Sequence, residues 1–222
     1  MSASARVIVF DVNETLSDLS PLAQTFVAVG APRELAQSWF AALLRDGFAL
    51  TATGDHASFI EIAEQCARAL LEKLALKMPL DDAVAAVLDG LSAVHLHPDV
   101  AEGLRQLHAS GHRLFTLSNG ATSTAERLFR EANVLSYFEQ LLSVDQHTAW
   151  KPAREAYERA SVVCRVSLED IVLVAVHPWD INGAARAGMK TAWVNRDQST
   201  FPAYFESPTI VISSILDLPE CL

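Results

Sequence analysis

EDIVLVAVHPWDINGAARAGMKTAWVN, Glu169 to Asn195, sets two β-branched apolar runs on either side of an Ala-rich segment. EDIVLVAV reads as a strand, INGAARAGM as a helix stopped by Gly188, and KTAWVN as a second strand. Neither strand alternates polar with apolar residues, so both of their faces are covered. The same alternation continues upstream. PDVAEGLRQLHASG is a helix closed by Gly111, HRLFTLSNG a strand with a polar end, LSYFEQLLSV a short strand reaching Val144, and PAREAYERASVVC a helix. PTIVIS supplies a last strand, and the opening RVIVF, residues 6–10, a buried first one. Helices alternating with apolar strands predict an α/β fold, a Rossmann-like parallel sheet covered on both faces.

Between the first strand and this block the texture changes. PRELAQSWFAALLRDGF, HASFIEIAEQCARALLEKLAL and PLDDAVAAVLDGLSAV carry apolar residues at three- and four-residue spacings and read as amphipathic helices. They form an inserted helical cap. The predicted division is residues 1–17 and 98–222 for the core and 18–97 for the cap.

Half of the 222 residues are apolar, enough for a substantial core. A formal charge of -10 argues against a nucleic-acid or anionic-membrane surface, both of which need a positive field. It leaves room for a small anionic substrate held by a few local cations. Cys66, Cys164 and Cys221 form no CxxC pair and fit a reduced intracellular protein. With no basic n-region and no long apolar run, a cytoplasmic location is expected.

In open parallel sheets the ligand site lies beyond the carboxyl ends of the strands. Those ends carry Asp11, Asn13 and Thr15 in FDVNETLSD, with Glu14 among them, then Ser118 and Asn119, Lys151 in WKP, and His177 and Asp180 in HPWD. Each has an ordinary structural explanation alone: a turn Asn, a surface Lys, an Asp capping the helix that begins INGAARAG. Four polar groups in order, each at a strand end, make a site. Lys151 can hold Asp11 ionised by opposite charge, Asp180 can orient the ammonium, and Thr15 and Ser118 can donate to a carboxylate. Asn119 offers an amide donor to an anion.

The set resembles the haloacid dehalogenase (HAD) superfamily, and within it the type II 2-haloacid dehalogenases. DVNET matches its first motif, LSNG the second, WKPAREAY the third and VAVHPWDINGAARAGMKTAWVNR the fourth with its flank. The resemblance implies a hydrolase of carbon–halide bonds in which Asp11 is the nucleophile. Asp11, Thr15, Ser118, Lys151 and Asp180 would be catalytic, and Tyr157, which matches a further polar position of the pattern, would bind substrate. It implies no cofactor or metal, a small organic acid as substrate, and a homodimer formed through helical surfaces.

Two magnesium-phosphatase features are missing. The general-acid aspartate two residues after the nucleophile is Asn13, and the metal-binding aspartate of the fourth motif falls on Val176. Both losses set a magnesium phosphatase aside, although it remains an alternative, as does a HAD-like protein with lost or different activity. The dehalogenase pattern is altered too. Its cap arginine, next to a tryptophan, is here Phe40 after Trp39, and Arg45 points about 140° away on an ideal helix. Asn13 replaces a motif aromatic, while Ala175 and His177 replace Ser and Asn. A protonated His177 could take over the anion contact, and Trp179 with Phe40 could wall the substrate pocket. An arginine restored at position 40 should improve use of 2-chloropropionate, unless His177 already holds the anion.

Overall fold

The computed structural model describes residues 6–147 and 149–222. The chain begins in β1 (Val7–Phe10), buried along its whole length. It then enters a short antiparallel ribbon, β2 (Ser17–Asp18) paired with β3 (His95–Leu96). Between those two strands lie four helices: α1 (Leu22–Val29), α2 (Leu35–Thr53), α3 (Phe59–Leu71) and α4 (Leu80–Ser92). After β3 the chain alternates: α5 (Val100–Ala109), β4 (Arg113–Ser118), α6 (Thr122–Glu131), β5 (Phe138–Ser143), α7 (Arg154–Cys164) and β6 (Ile171–Ala175). It continues through α8 (Pro178–Ala187), β7 (Lys190–Val194), β8 (Ile210–Ile212) and a final turn of helix, α9 (Leu218–Cys221).

The six long strands make one sheet in the order β5-β4-β1-β6-β7-β8, and every pairing in it is parallel. β1 sits at the switch between the strands laid down on one side and those added on the other. Ligands bind at such a switch, which places the end of β1, and so Asp11, at the predicted position. Both faces of the sheet are covered. Val9, Leu117 and Leu173 pack with α7, α8 and the cap residues Trp39, Leu43 and Phe59 in one apolar cluster. Ile8, Phe10 and Val174 pack with α5, α6 and α9 in the other. The α/β core with an inserted helical cap is therefore as expected. Among the described residues no helix is long and apolar enough to cross a membrane.

The details differ from the pattern in four places. The cap has a further helix, α1, whose Leu22, Phe26 and Val29 are buried at four- and three-residue steps and whose end is turned by Gly30 at φ 100°. Eight residues give too few repeats of the period to stand out. The polar helix α6 and the β2/β3 ribbon were not anticipated either. Finally, α8 starts at Pro178 and not at Ile181. Pro is pre-set for a first helical turn and lacks the N–H that would go unpaired there. Asp180 therefore lies inside that turn instead of capping it.

The cap is seated on the loop after β5. The Phe59 N–H donates to Asp145 Oδ1 at 2.6 Å, His56 Nε2 meets the Asp145 carbonyl at 2.7 Å, and the Trp150 N–H donates to Thr51 Oγ1 at 3.1 Å. The Trp150 ring stacks on Phe59 and lies so close to Gly47 of α2 that a Cβ there would run into it. That loop ends at Lys151.

Candidate active site

β1 delivers Asp11 at its carboxyl end, where the Asp11 N–H still donates to the Val174 carbonyl at 3.0 Å. The next residues curl over the strand end. Glu14 sits at φ 62°, left-handed and uncommon for a residue with a side chain. His97 Nε2 meets its carbonyl at 2.9 Å, and Arg196 donates to the Thr15 carbonyl at 3.1 Å. Thr15 is thereby turned inward. Its hydroxyl donates to Asp11 Oδ2 at 2.6 Å and accepts from the Val176 N–H at 3.1 Å.

Lys151 is fully buried and its Nζ bridges two carboxylates, Asp11 Oδ1 at 2.8 Å and Asp180 Oδ2 at 2.5 Å. A buried ammonium with one partner would be costly; with two it forms a compact array. Asn119 fixes the backbone of the same residue, accepting from the Lys151 N–H at 3.0 Å and donating to its carbonyl at 3.2 Å. Tyr157, expected at the substrate, is instead wholly buried on α7 and donates to Asp180 Oδ1 at 2.7 Å. Both oxygens of Asp180 are thus occupied. Ser118 Oγ accepts from the Gly120 N–H at 3.0 Å. Together with Asn13, Ser118 lines a small cavity of about 50 Å³ bounded by Phe59, Leu91 and Val94.

His177 is the N-cap residue of α8 and lies over Asp11. Its Nδ1 is 3.2 Å from Asp11 Oδ2 and its Nε2 is 2.8 Å from Glu14 Oε2. A carboxylate only accepts, so with both carboxylates ionised both ring nitrogens must donate and the ring is an imidazolium. Two aromatic rings pack against it: Trp179 at 5.0 Å and Phe40, from the cap, at 6.5 Å between centroids. Trp179 also meets Phe48 of α2 edge-on at 5.0 Å, and its ring lies 5.8 Å from the Lys151 ammonium. Arg45 is exposed and paired with its neighbour Asp46.

The titration of these groups follows from the contacts. Burial alone would raise the Asp11 carboxyl; Lys151 and then His177 outweigh it and hold Asp11 well below the ordinary carboxylate range. Burial lifts Asp180 above its usual value against the pull of Lys151. For Lys151 the burial cost is overcome by the charges of Asp11 and Asp180, so it stays protonated. Burial would lower His177, but hydrogen bonds to Asp11 and Glu14 push it up to about 9. Burial and the adjacent Asp180 raise Tyr157 well above 10.0. The result is an ionised, aimed carboxylate facing a fixed cation on each side.

Glu14 stands among the strand-end residues, but the sequence assigns it no role. The signal was present, an acid three residues after the nucleophile position. Its partner, however, lies 163 positions away in sequence. A cleft of about 570 Å³ opens beside the pair and is lined by Glu14, Phe40, His97, Val176, Asn195 and Arg196. The residues do not fit a magnesium ion. Val176 has no side-chain donor, and both oxygens of Asp11 already accept from Lys151, Thr15 and His177. Among the described residues no group of three His, Cys, Asp or Glu side chains is placed to hold a metal.

Comparison with known proteins bears on the fold and the family. The chain is 29% identical over 219 residues to (S)-2-haloacid dehalogenase 2 of Pseudomonas sp. (strain CBS-3), covering 98% of this chain and 95% of that protein. A solved dehalogenase with an intermediate complex superposes with a TM-score of 0.92 at 23% identity, over 100% of this chain and 99% of the other. The L-2-haloacid dehalogenase of Xanthobacter autotrophicus with chloropropionic acid covalently bound gives 0.86 at 23% identity, over 97% of each chain. The family model for haloacid dehalogenase-like hydrolases matches residues 5–188. On that match and on this arrangement of strand ends, the chain belongs to the haloacid dehalogenase-like hydrolase family.

Proposed function

We propose that this hydrolase cleaves the carbon–halogen bond of small 2-haloacids by covalent catalysis, without a metal or other cofactor. The observation that carries the reading is the buried Asp11–Lys151–Asp180 array with Asn13 and Val176 where a phosphatase needs carboxylates. An ionised carboxylate is a modest nucleophile that must be aimed at carbon; Lys151 and Thr15 aim it. It displaces halide from the substrate carbon and forms an aspartyl ester, which water cleaves at the aspartyl carbonyl. Asp180, Asn119 and Tyr157 hold Lys151 in place, and Ser118 stiffens the turn beside the nucleophile. The charge of the His177 imidazolium attracts the substrate carboxylate or the halide. Phe40 and Trp179 wall the chamber, and Asn13 lies at its edge.

The 2-haloacid chemistry of the relatives supports this substrate class. Phe40 in place of a charged fork favours bulkier or less polar acids over short 2-chloroacids. We also infer a homodimer acting in the cytoplasm; exposed Val162 and Val163 on α7 support contact between helical surfaces.

The test is turnover of a 2-haloacid in ¹⁸O-labelled water, with and without a chelator. Label should enter the Asp11 carboxylate during the first turnover, with the enzyme's own oxygen leaving in the product, and the chelator should change the rate little. Asp11→Asn should release no halide and keep the native circular dichroism. Label found only in the product of a single turnover, or activity lost to chelator and restored by magnesium, rules the mechanism out.

A further inference from the structure

Given an aspartyl ester at Asp11, some group must take a proton from the water that cleaves it. Asp180 is poorly placed for this. It is fully buried, its Oδ2 is bound to Lys151 and its Oδ1 to Tyr157. Thr15 and Lys151 are donors. His177 differs from all of these, because one ring nitrogen faces a reacting carboxylate oxygen and the other faces Glu14, which lines the open cleft.

We propose that His177, aimed by Glu14, is the base that activates the ester-cleaving water. The inference rests on Asp11 being the nucleophile, as above. In the resting enzyme the imidazolium is held by two negative charges, Asp11 and Glu14. Alkylation turns the first into a neutral ester and removes half of that support. The ring then gives up its Nδ1 proton to solvent in the chamber while Nε2–H stays on Glu14, which accounts for the proton that accompanies the departing halide. Neutral Nδ1 lies beside the Asp11 carboxyl group and takes a proton from water as its oxygen bonds to Cγ. The tetrahedral adduct breaks its Cγ–O bond to the substrate, and the hydroxyl proton on the adduct passes to the departing alkoxide. Asp11 is again a carboxylate, His177 again an imidazolium, and the sum is haloacid plus water giving hydroxyacid, halide and a proton. The elevated affinity of the resting ring for its proton, with a pKa of about 9, fits this cycle because one of its two causes vanishes on alkylation.

Glu14 is a positioning residue here. Its left-handed backbone and the His97 contact to its carbonyl fix where its carboxylate stands, and that carboxylate fixes the ring. An anion contact at His177 needs no Glu14, whereas a base needs its ring held.

The experiment is rapid-quench turnover of 2-bromopropionate by native protein, His177→Gln, Glu14→Gln and Asp180→Asn, with intact-protein mass read for the ester. General-base catalysis is worth about 10²- to 10⁴-fold. His177→Gln should therefore release about one equivalent of bromide and stall with Asp11 esterified, its ester decaying at least 100-fold more slowly than in native protein. Glu14→Gln, which keeps the imidazole, should alkylate at close to the native rate and lose roughly 10-fold in ester decay. If His177→Gln is never alkylated, Glu14→Gln decides, and unchanged ester decay overturns the proposal. Ester that accumulates in Asp180→Asn but not in His177→Gln also overturns it and assigns the base to Asp180. Native protein that is never esterified by any 2-haloacid overturns both this inference and the function on which it rests.

Discussion

At the scale of single residues, the site is a problem of unlike charges kept dry. Asp11, Lys151 and Asp180 are almost fully buried, and each is tolerated because its neighbours satisfy it. His177 adds a linkage to pH whose sign is fixed. Its pKa rises from 6.5 to about 9 on folding, so its ion pairs contribute in full below pH 6.5. Between pH 6.5 and 9 the unfolded chain has lost the proton that the native ring keeps, and stability falls, on the order of 3 kcal/mol in all. Urea midpoints measured across this window should decline in native protein and stay nearly flat in His177→Gln. Equal slopes in the two would show that the ring is not held as an imidazolium. Asp11 has the opposite sense, with stability present at neutral pH and lost only in strong acid. Much of this was legible in the sequence, since Asp11, Thr15, Lys151 and Asp180 all come to one place. The partners of Tyr157 and Glu14 were not, because a sequence pattern marks a polar position without saying which side of it faces the substrate.

Among the elements, α2 carries the change that matters most. Phe40 and Gly47, seven residues apart, lie on one face of the helix, the first against His177 and the second against Trp150. In the sequence, Phe40 reads as the loss of a cationic grip. In the structure, a cation, the His177 imidazolium, stands on the core side of the chamber with the Phe40 ring stacked against it. That reverses the expectation for an arginine at this position. A unit charge about 6.5 Å from the imidazolium repels it by about 2–3 kcal/mol at an effective dielectric of 20. Phe40→Arg should therefore lower the His177 pKa and cost at least about 10-fold in kcat/KM for 2-chloropropionate, with Phe40→Leu close to native. A gain in activity on Phe40→Arg would show that the chamber still lacks its anion contact. The strands and long helices were readable because their apolar periods run long. α1, α6 and the two-residue strands are too short or too polar to announce themselves, and the start of α8 was masked by a proline that also fits a turn.

For the molecule as a whole, cap and core share one apolar cluster in which Trp39, Leu43 and Phe59 continue into Leu117 and Leu173. Neither part can lose its structure without exposing the other's apolar face, so thermal or denaturant unfolding should follow a single transition. Tryptophan fluorescence, which reports Trp39 in the cap and Trp150, Trp179 and Trp193 in the core, should coincide with far-ultraviolet circular dichroism. Two resolved midpoints would mean that the cap melts alone. The β2/β3 ribbon adds something different. A chain that leaves a fold and returns to it at adjoining points has its ends already joined, and the entropy of the excursion grows only with the logarithm of its length. Loops between those points can be lengthened or trimmed at little entropic cost, provided the face that meets Leu117 and Leu173 is kept. The chamber's roof can thus vary in its outer turns while its hinge to the core stays shut.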